Sequence, residues 1–243
     1  DLLLAAWGGA CPKYLENYNK NVNATSTAEY FNTHVEKVAD YLNSVLGLDL
    51  TVQTDQDIWT TFGQLTCGYY NGNPLPEGIS VDYLFNEVIP PMAHLLYYEY
   101  SYGNYENSLL AASEMLSEIK QRITTVINGQ PSPKFLFYSG HDLTLAALIS
   151  VFKMHESFPT FASTIFFELF ERDNASFLAD DLSNYYVTVT FNSEPMIIPG
   201  CGGIECDLQN FFNLLDEMII PDIVEACKAT DPTVELVAAY DFQ

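Results

Sequence analysis

The chain changes texture once, at Gln130-Pro131-Ser132-Pro133, and this break constrains its architecture more than any other feature. Proline lacks an N–H and its ring clashes with the preceding helical turn, so two prolines in four residues end any helix that reaches them. Before the break the apolar residues follow a helical period. Phe31, Val35, Val38, Leu42 and Val45 predict a helix over 27–46, after Ser26 as its cap. A second helix is predicted over 55–70, stopped by Asn71-Gly72-Asn73-Pro74. Leu109, Ala112, Leu116, Ile119, Ile123 and Val126 predict a third over 106–127. Between them, 80–102 is apolar and aromatic, and Pro90-Pro91 must kink or split any helix there.

After the break the pattern shortens. Lys134–Tyr138 reads as a buried strand, Leu143–Phe152 as a helix and 161–171 as a strand, with a turn at Asp173-Asn174. Over 184–192, Tyr185, Val187, Val189 and Phe191 alternate onto one face. A loop rich in Cys and Gly covers 199–206, and a last helix 208–220. The expected organisation is a mostly helical cap or insert region with the start of an α/β part over 1–129, then a C-terminal α/β part over 130–243.

Charge narrows the function. Nine Lys and Arg face 32 Asp and Glu, a formal net charge of −23. Such a surface repels nucleic acid and anionic membranes. No run approaches the length of a membrane span. An anionic substrate needs local positive charge, and the only arginines are Arg122 and Arg172. The chain starts at Asp1 without a basic leader, so it is expected to be a mature, processed or truncated product.

The cysteines Cys11, Cys67, Cys201, Cys206 and Cys227 form no CxxC, and no zinc-like histidine spacing accompanies them. With the sequons Asn23-Ala24-Thr25 and Asn174-Ala175-Ser176, they lean toward the secretory route. There is no G-x-S-x-G elbow, phosphate-binding Gly loop or H-E-x-x-H. Paired carboxylates at Asp55/Asp57 and Asp180-Asp181 read as solvated, and Trp59 with Tyr97, Tyr98, Tyr100 and Tyr102 as core.

Ser139-Gly140-His141-Asp142 stands apart. It lies between the predicted strand and a helix, where α/β sheets bind ligands and a helix N-terminus favours anions. A protonated His141 could hold an anionic oxygen there, and Asp142 could give a proton to a leaving group. The plainer alternative makes Asp142 an N-cap and His141 a loop histidine.

Ordered blocks along the chain carry a resemblance. Cys11-Pro12-Lys13-Tyr14, Ile58-Trp59, Phe137-Tyr138-Ser139-Gly140-His141-Asp142, Phe161-Ala162-Ser163 with Glu168-Leu169, and Pro199-Gly200-Cys201 through Cys206 and Leu208 resemble the histidine acid phosphatases, in the prostatic and lysosomal branch. The resemblance implies part of a phosphoglycerate-mutase-like three-layer α/β sandwich with a helical cap. It implies Asp142 as general acid, His141 as a phosphate ligand, a phosphate-ester substrate, and neither metal nor cofactor. It favours disulfides Cys11–Cys227 and Cys201–Cys206. Thr164 stands where a partner for Cys67 belongs, which makes Cys67 a free thiol or one linked outside the chain. The implied setting is secreted, lysosomal or vacuolar.

One departure is large. The family's Arg-His-Gly-x-Arg-x-Pro motif, with its nucleophilic histidine and phosphate-clamping arginines, has no counterpart here. The chain is therefore expected to be a C-terminal portion, inactive alone, needing an N-terminal segment of the same precursor. An exposed apolar seam should mark where missing strands pack. The competing expectation is a non-catalytic glycoprotein or binding module on the same fold, within a homo-oligomer or larger assembly.

Overall fold

The computed structural model describes residues 10–154, 158–173 and 182–230. They fall into two compact units. One is built from 17–104, the other from 10–16 and 105–230.

The unit of 17–104 is all helical. It holds the end of α1 (Pro12–Val22), then α2 (Thr25–Tyr30), a π-turn Phe31–Val35, α3 (Glu36–Leu46) and α4 (Asp55–Tyr70). The single helix predicted over 27–46 is thus interrupted by one wide turn. It ends at Gly47, whose φ of 68° is the left-handed conformation that closes a helix. The apolar 80–102 stretch folds as α5 (Val81–Tyr83), a π-turn Leu84–Val88, α6 (Ile89–His94) and a second π-turn Leu95–Ser101. Pro90 and Pro91 cannot donate to the carbonyls one turn earlier. The turn before them widens instead, and the Ile89 N–H reaches back to the Leu84 carbonyl.

The aromatic cluster is core. Tyr97, Tyr98, Tyr100 and Tyr102 are buried. The Tyr100 hydroxyl donates to the Val52 carbonyl at 2.8 Å, and Asn21 Nδ2 donates to the Tyr100 carbonyl at 3.0 Å. Trp59 Nε1 donates to the Tyr18 hydroxyl at 3.1 Å, and that hydroxyl donates to Asp55 Oδ2 at 2.8 Å. Asp55 is therefore bonded rather than simply solvated, while Asp57 is exposed. Asp180 and Asp181 lie outside the described residues.

The second unit packs helices against a small antiparallel sheet. Its helices are α7 (Tyr105–Ile127), α8 (Asp142–Val151), α9 (Leu208–Met218) and the short α10 (Ile223–Ala226). Its strands are β1 (Ile165–Glu171), β2 (Tyr185–Phe191), β3 (Glu194–Met196) and β4 (Cys206–Asp207). β2 pairs β1 on one edge, with Ile165 opposite Phe191 and Glu171 opposite Tyr185; β3 and β4 also pair β2. Val187, Val189 and Phe191 are buried, as the alternation predicts. Asn192 and Ser193, at φ 50° and 71°, make a two-residue turn whose twist suits a hairpin. Phe152, Phe167 and Phe211 meet at centroid distances of 5.8 to 6.3 Å and tie α8, β1 and α9 together. The other face of β1 leaves Phe166 and Phe170 exposed.

Two disulfides belong to this unit. Cys11 joins Cys227 and Cys201 joins Cys206, with Cα separations of 4.6 and 4.7 Å. Bonds of this kind persist in oxidising compartments, which indicates an extracellular or lumenal protein. Among the described residues, no helix is long and apolar enough to cross a membrane.

The predicted strand over Lys134–Tyr138 does not form. The stretch runs without regular structure, with Phe135 67% and Phe137 75% exposed. A strand exists only through a neighbour's hydrogen bonds, and no described strand pairs with this run or with the outer edge of β1.

Candidate functional site

His141 and Asp142 occupy the start of α8. Leu148, Ile149 and Val151 bury one side of that short helix, and Ala146 and Ala147 allow close packing. Ser108 and Ser150 share a 2.8 Å hydroxyl bond where α7 meets it, and the Tyr105 hydroxyl donates to the Val151 carbonyl at 2.9 Å. α7 therefore holds the last turn of the helix that carries the pair.

His141 is the N-cap, with extended φ −120° and ψ 168°, and Asp142 is the first helical residue. This corrects the alternative that made Asp142 the cap. The N–H groups of Thr144 and Leu145 both reach the His141 carbonyl, at 3.1 and 3.2 Å. Thr144 Oγ1 accepts from the His141 N–H at 3.1 Å, one half of a capping box. Asp142 Oδ1 accepts from the Leu143 N–H at 2.7 Å. Both side chains are exposed. Gly140 fits tightly before them, since a Cβ there would lie 3.1 Å from Thr144 Oγ1.

The expectation that this pair ends a strand is corrected by the irregular 134–141 run. That run is held by a side chain instead. The Tyr138 hydroxyl donates to Glu118 Oε1 at 2.7 Å, and Arg122 Nε donates to the same oxygen at 2.7 Å. The hydroxyl bond from Tyr138, then that from Arg122, holds the Glu118 carboxyl below the usual carboxylate range. Burial, then the Glu118 carboxylate, pushes the Tyr138 phenol up. The Glu118/Arg122 spacing is a helical i,i+4 ion pair legible in sequence, but its capture of Tyr138 is not.

Cys67 is exposed and free on α4. Asn23 is exposed between α1 and α2, with Nδ2 donating to the Asn19 carbonyl at 2.7 Å. Asn174 lies outside the described residues. A shallow groove of about 360 Å³ runs along the last turns of α7, lined by residues such as Ser117, Lys120, Thr124 and Asn128, and it does not include His141 or Asp142. Among the described residues no group of three His, Cys, Asp or Glu could hold a metal ion. Arg172 pairs with Glu205 and Asp207, and Arg122 with Glu118, so both arginines already face carboxylates.

An exposed His-Asp pair at a helix N-terminus can bind an anion and exchange a proton with it. The chain is 29% identical over 245 residues to the lysosomal acid phosphatase of Homo sapiens, covering 94% of this chain and 53% of that protein. It is 26% identical over 226 residues to the prostatic acid phosphatase of Mus musculus, covering 90% and 56%. It is 25% identical over 220 residues to Counting factor 60 of Dictyostelium discoideum, covering 87% and 48%. The chain thus spans about half the length of the curated relatives it matches. Residues 3–192 match the family described as "Histidine phosphatase superfamily (branch 2)", and the chain belongs to that family.

Proposed function

We propose that this chain supplies the acid half of a phosphomonoesterase and works with a further segment that brings the nucleophilic histidine and the phosphate-clamping arginines. The observation that carries this reading is the exposed run of Phe135 and Phe137, leading directly to His141 and Asp142. Exposed aromatics in a run of strand-like composition fit a strand that lacks its neighbour. The outer edge of β1 and the exposed Phe166 and Phe170 are a second such surface. Strands added there would extend the small sheet toward a three-layer sandwich with a helical cap.

In the completed site, the supplied histidine attacks phosphorus and Asp142 protonates the departing alcohol. Water then hydrolyses the phosphohistidine, with Asp142 taking its proton. His141, at the α8 N-terminus, holds a phosphate oxygen. No metal or cofactor enters this scheme. The setting is an acidic lumen, lysosomal or vacuolar, or the outside of the cell, with glycans at Asn23 and Asn174.

A second reading, a non-catalytic module, draws on the two arginines, each of which faces a carboxylate. One experiment separates the two. Native material is analysed by intact mass with and without reduction, and its phosphatase activity is assayed. The enzyme reading expects activity to travel with a segment carrying Arg-His-Gly and to be lost in Asp142→Asn. Activity without such a segment, or an unimpaired Asp142→Asn, overturns it. A folded, inactive chain found alone supports the module.

A further inference from the structure

Two of the wide turns in the 17–104 unit meet around one ring. Tyr30 is the last residue of α2, and His34 lies one turn on, inside Phe31–Val35. The Tyr30 ring stacks on His94 at 4.3 Å between centroids and packs on His34 at 4.7 Å. His94 is the last residue of α6, and Glu99 lies five residues on, inside Leu95–Ser101. In an α-helix, residues five apart point away from each other. The wider π-turn, bonded i to i+5, brings them onto one face. His94 Nε2 is accordingly 3.5 Å from Glu99 Oε1, with the two side chains 30% and 20% exposed. Glu99 Oε2 accepts from the hydroxyl of buried Thr27 on α2 at 3.3 Å. Glu99 therefore bridges His94 and α2.

We propose that Thr27, Tyr30, His34, His94 and Glu99 form an acid-tightened clasp, which holds α2 to the Leu95–Ser101 turn more firmly in acid than at neutral pH. A protonated His94 gains an ion pair with Glu99 and presents a cation to the face of Tyr30. The neutral imidazole has neither attraction. The contribution is present in full below the ordinary imidazole range, near ~6.5, and is lost as pH rises through it.

Tyr30 from α2, with Tyr98 and Glu99 from the Leu95–Ser101 turn, lies against His94, and His34 packs on the same Tyr30 ring. Other groups on the elements packed against α6 are engaged elsewhere or exposed. Asp55 accepts from Tyr18, Tyr69 and Tyr70 pack on Phe85, and Asp57, Cys67 and Glu87 are exposed. Tyr100 donates to the Val52 carbonyl.

Hydrogen exchange by mass spectrometry on the full chain tests the clasp. Peptides covering Thr25–Val35 and Leu95–Ser101 are followed at about pH 5 and about pH 7.5, corrected for intrinsic exchange. In the unmutated protein, protection is expected to rise about three- to tenfold on acidification. Glu99→Gln keeps an acceptor for Thr27 and should shrink that rise, leaving only the cation on the Tyr30 face. His94→Gln removes both attractions and should abolish the rise, and it serves if the first variant loosens the unit at both pH values. No rise in the unmutated protein, or a rise that survives in His94→Gln, overturns the proposal.

Discussion

Glu16 accepts from Thr230 across 214 residues of sequence, from the N–H at 2.8 Å and from the one hydroxyl proton, shared between its two oxygens at 2.9 and 3.0 Å. Lys13 Nζ adds an ion pair at 3.2 Å. The carboxylate is only 4% exposed, so water does not replace a lost donor freely. Thr230→Val removes the hydroxyl and keeps the shape. It is expected to destabilise the 10–16 and 105–230 unit by about 1–3 kcal/mol, read from urea unfolding. A change within error would mean that the Thr230 N–H and Lys13 suffice.

The two disulfides should differ in weight. Cys11–Cys227 spans 216 residues and Cys201–Cys206 spans 5. Loop-closure entropy in the unfolded chain gives roughly 5 kcal/mol for the long loop and roughly 2 for the short one. Replacing Cys11 and Cys227 together by Ser should therefore lower the unfolding midpoint more than replacing Cys201 and Cys206. The reverse order in denaturant titrations would place the stabilisation in the folded state instead.

Tyr138 should confer a stability that acid removes. Its hydroxyl, with Arg122, holds the Glu118 carboxyl below the usual carboxylate range. A depressed carboxylate contributes stability above its unfolded value, near ~4.3, and loses it as pH falls through the lower folded value. Tyr138→Phe is therefore expected to be less stable than the unmutated protein at neutral pH. That gap should close as the pH drops below about 4. Urea midpoints measured across this range check it. A gap independent of pH would assign the loss to packing alone.

Asp142→Asn in the active, completed enzyme should cost about 10²–10⁴ in kcat for alkyl phosphates, whose alcohols need a proton to leave. The loss should shrink for aryl phosphates with acidic phenols. Assays across a leaving-group series check this. An equal loss for all substrates would give Asp142 a role in binding rather than in proton transfer.

The long helix was legible because its apolar residues repeat: Ala112, Leu116 and Ile123 of the stripe read for α7 are buried, although Val126 at its end is exposed. The wide turns were not. A π-turn at Leu84–Val88 or Leu95–Ser101 adds a residue to the turn without changing its apolar character, so periodicity passes over it. Lys134–Tyr138 misled for another reason. Its residues have the composition of a buried strand, but a strand is a relation between two segments, and composition reports only one. The His-Asp pair was found by its motif. Its setting, with His141 as cap, Thr144 closing the turn and Tyr138 tied to Glu118, depends on contacts that no local pattern encodes. The pairing of five cysteines was likewise open from spacing, and only the family resemblance chose among the possibilities.

The Cys11–Cys227 bond also changes what a protease can do to this protein. A cut at any peptide bond between those cysteines opens the ring but releases no fragment. The two pieces stay covalently joined until a reductant reaches the bond. A molecule nicked once would keep its native mass plus one water, and would separate into two pieces only on reduction.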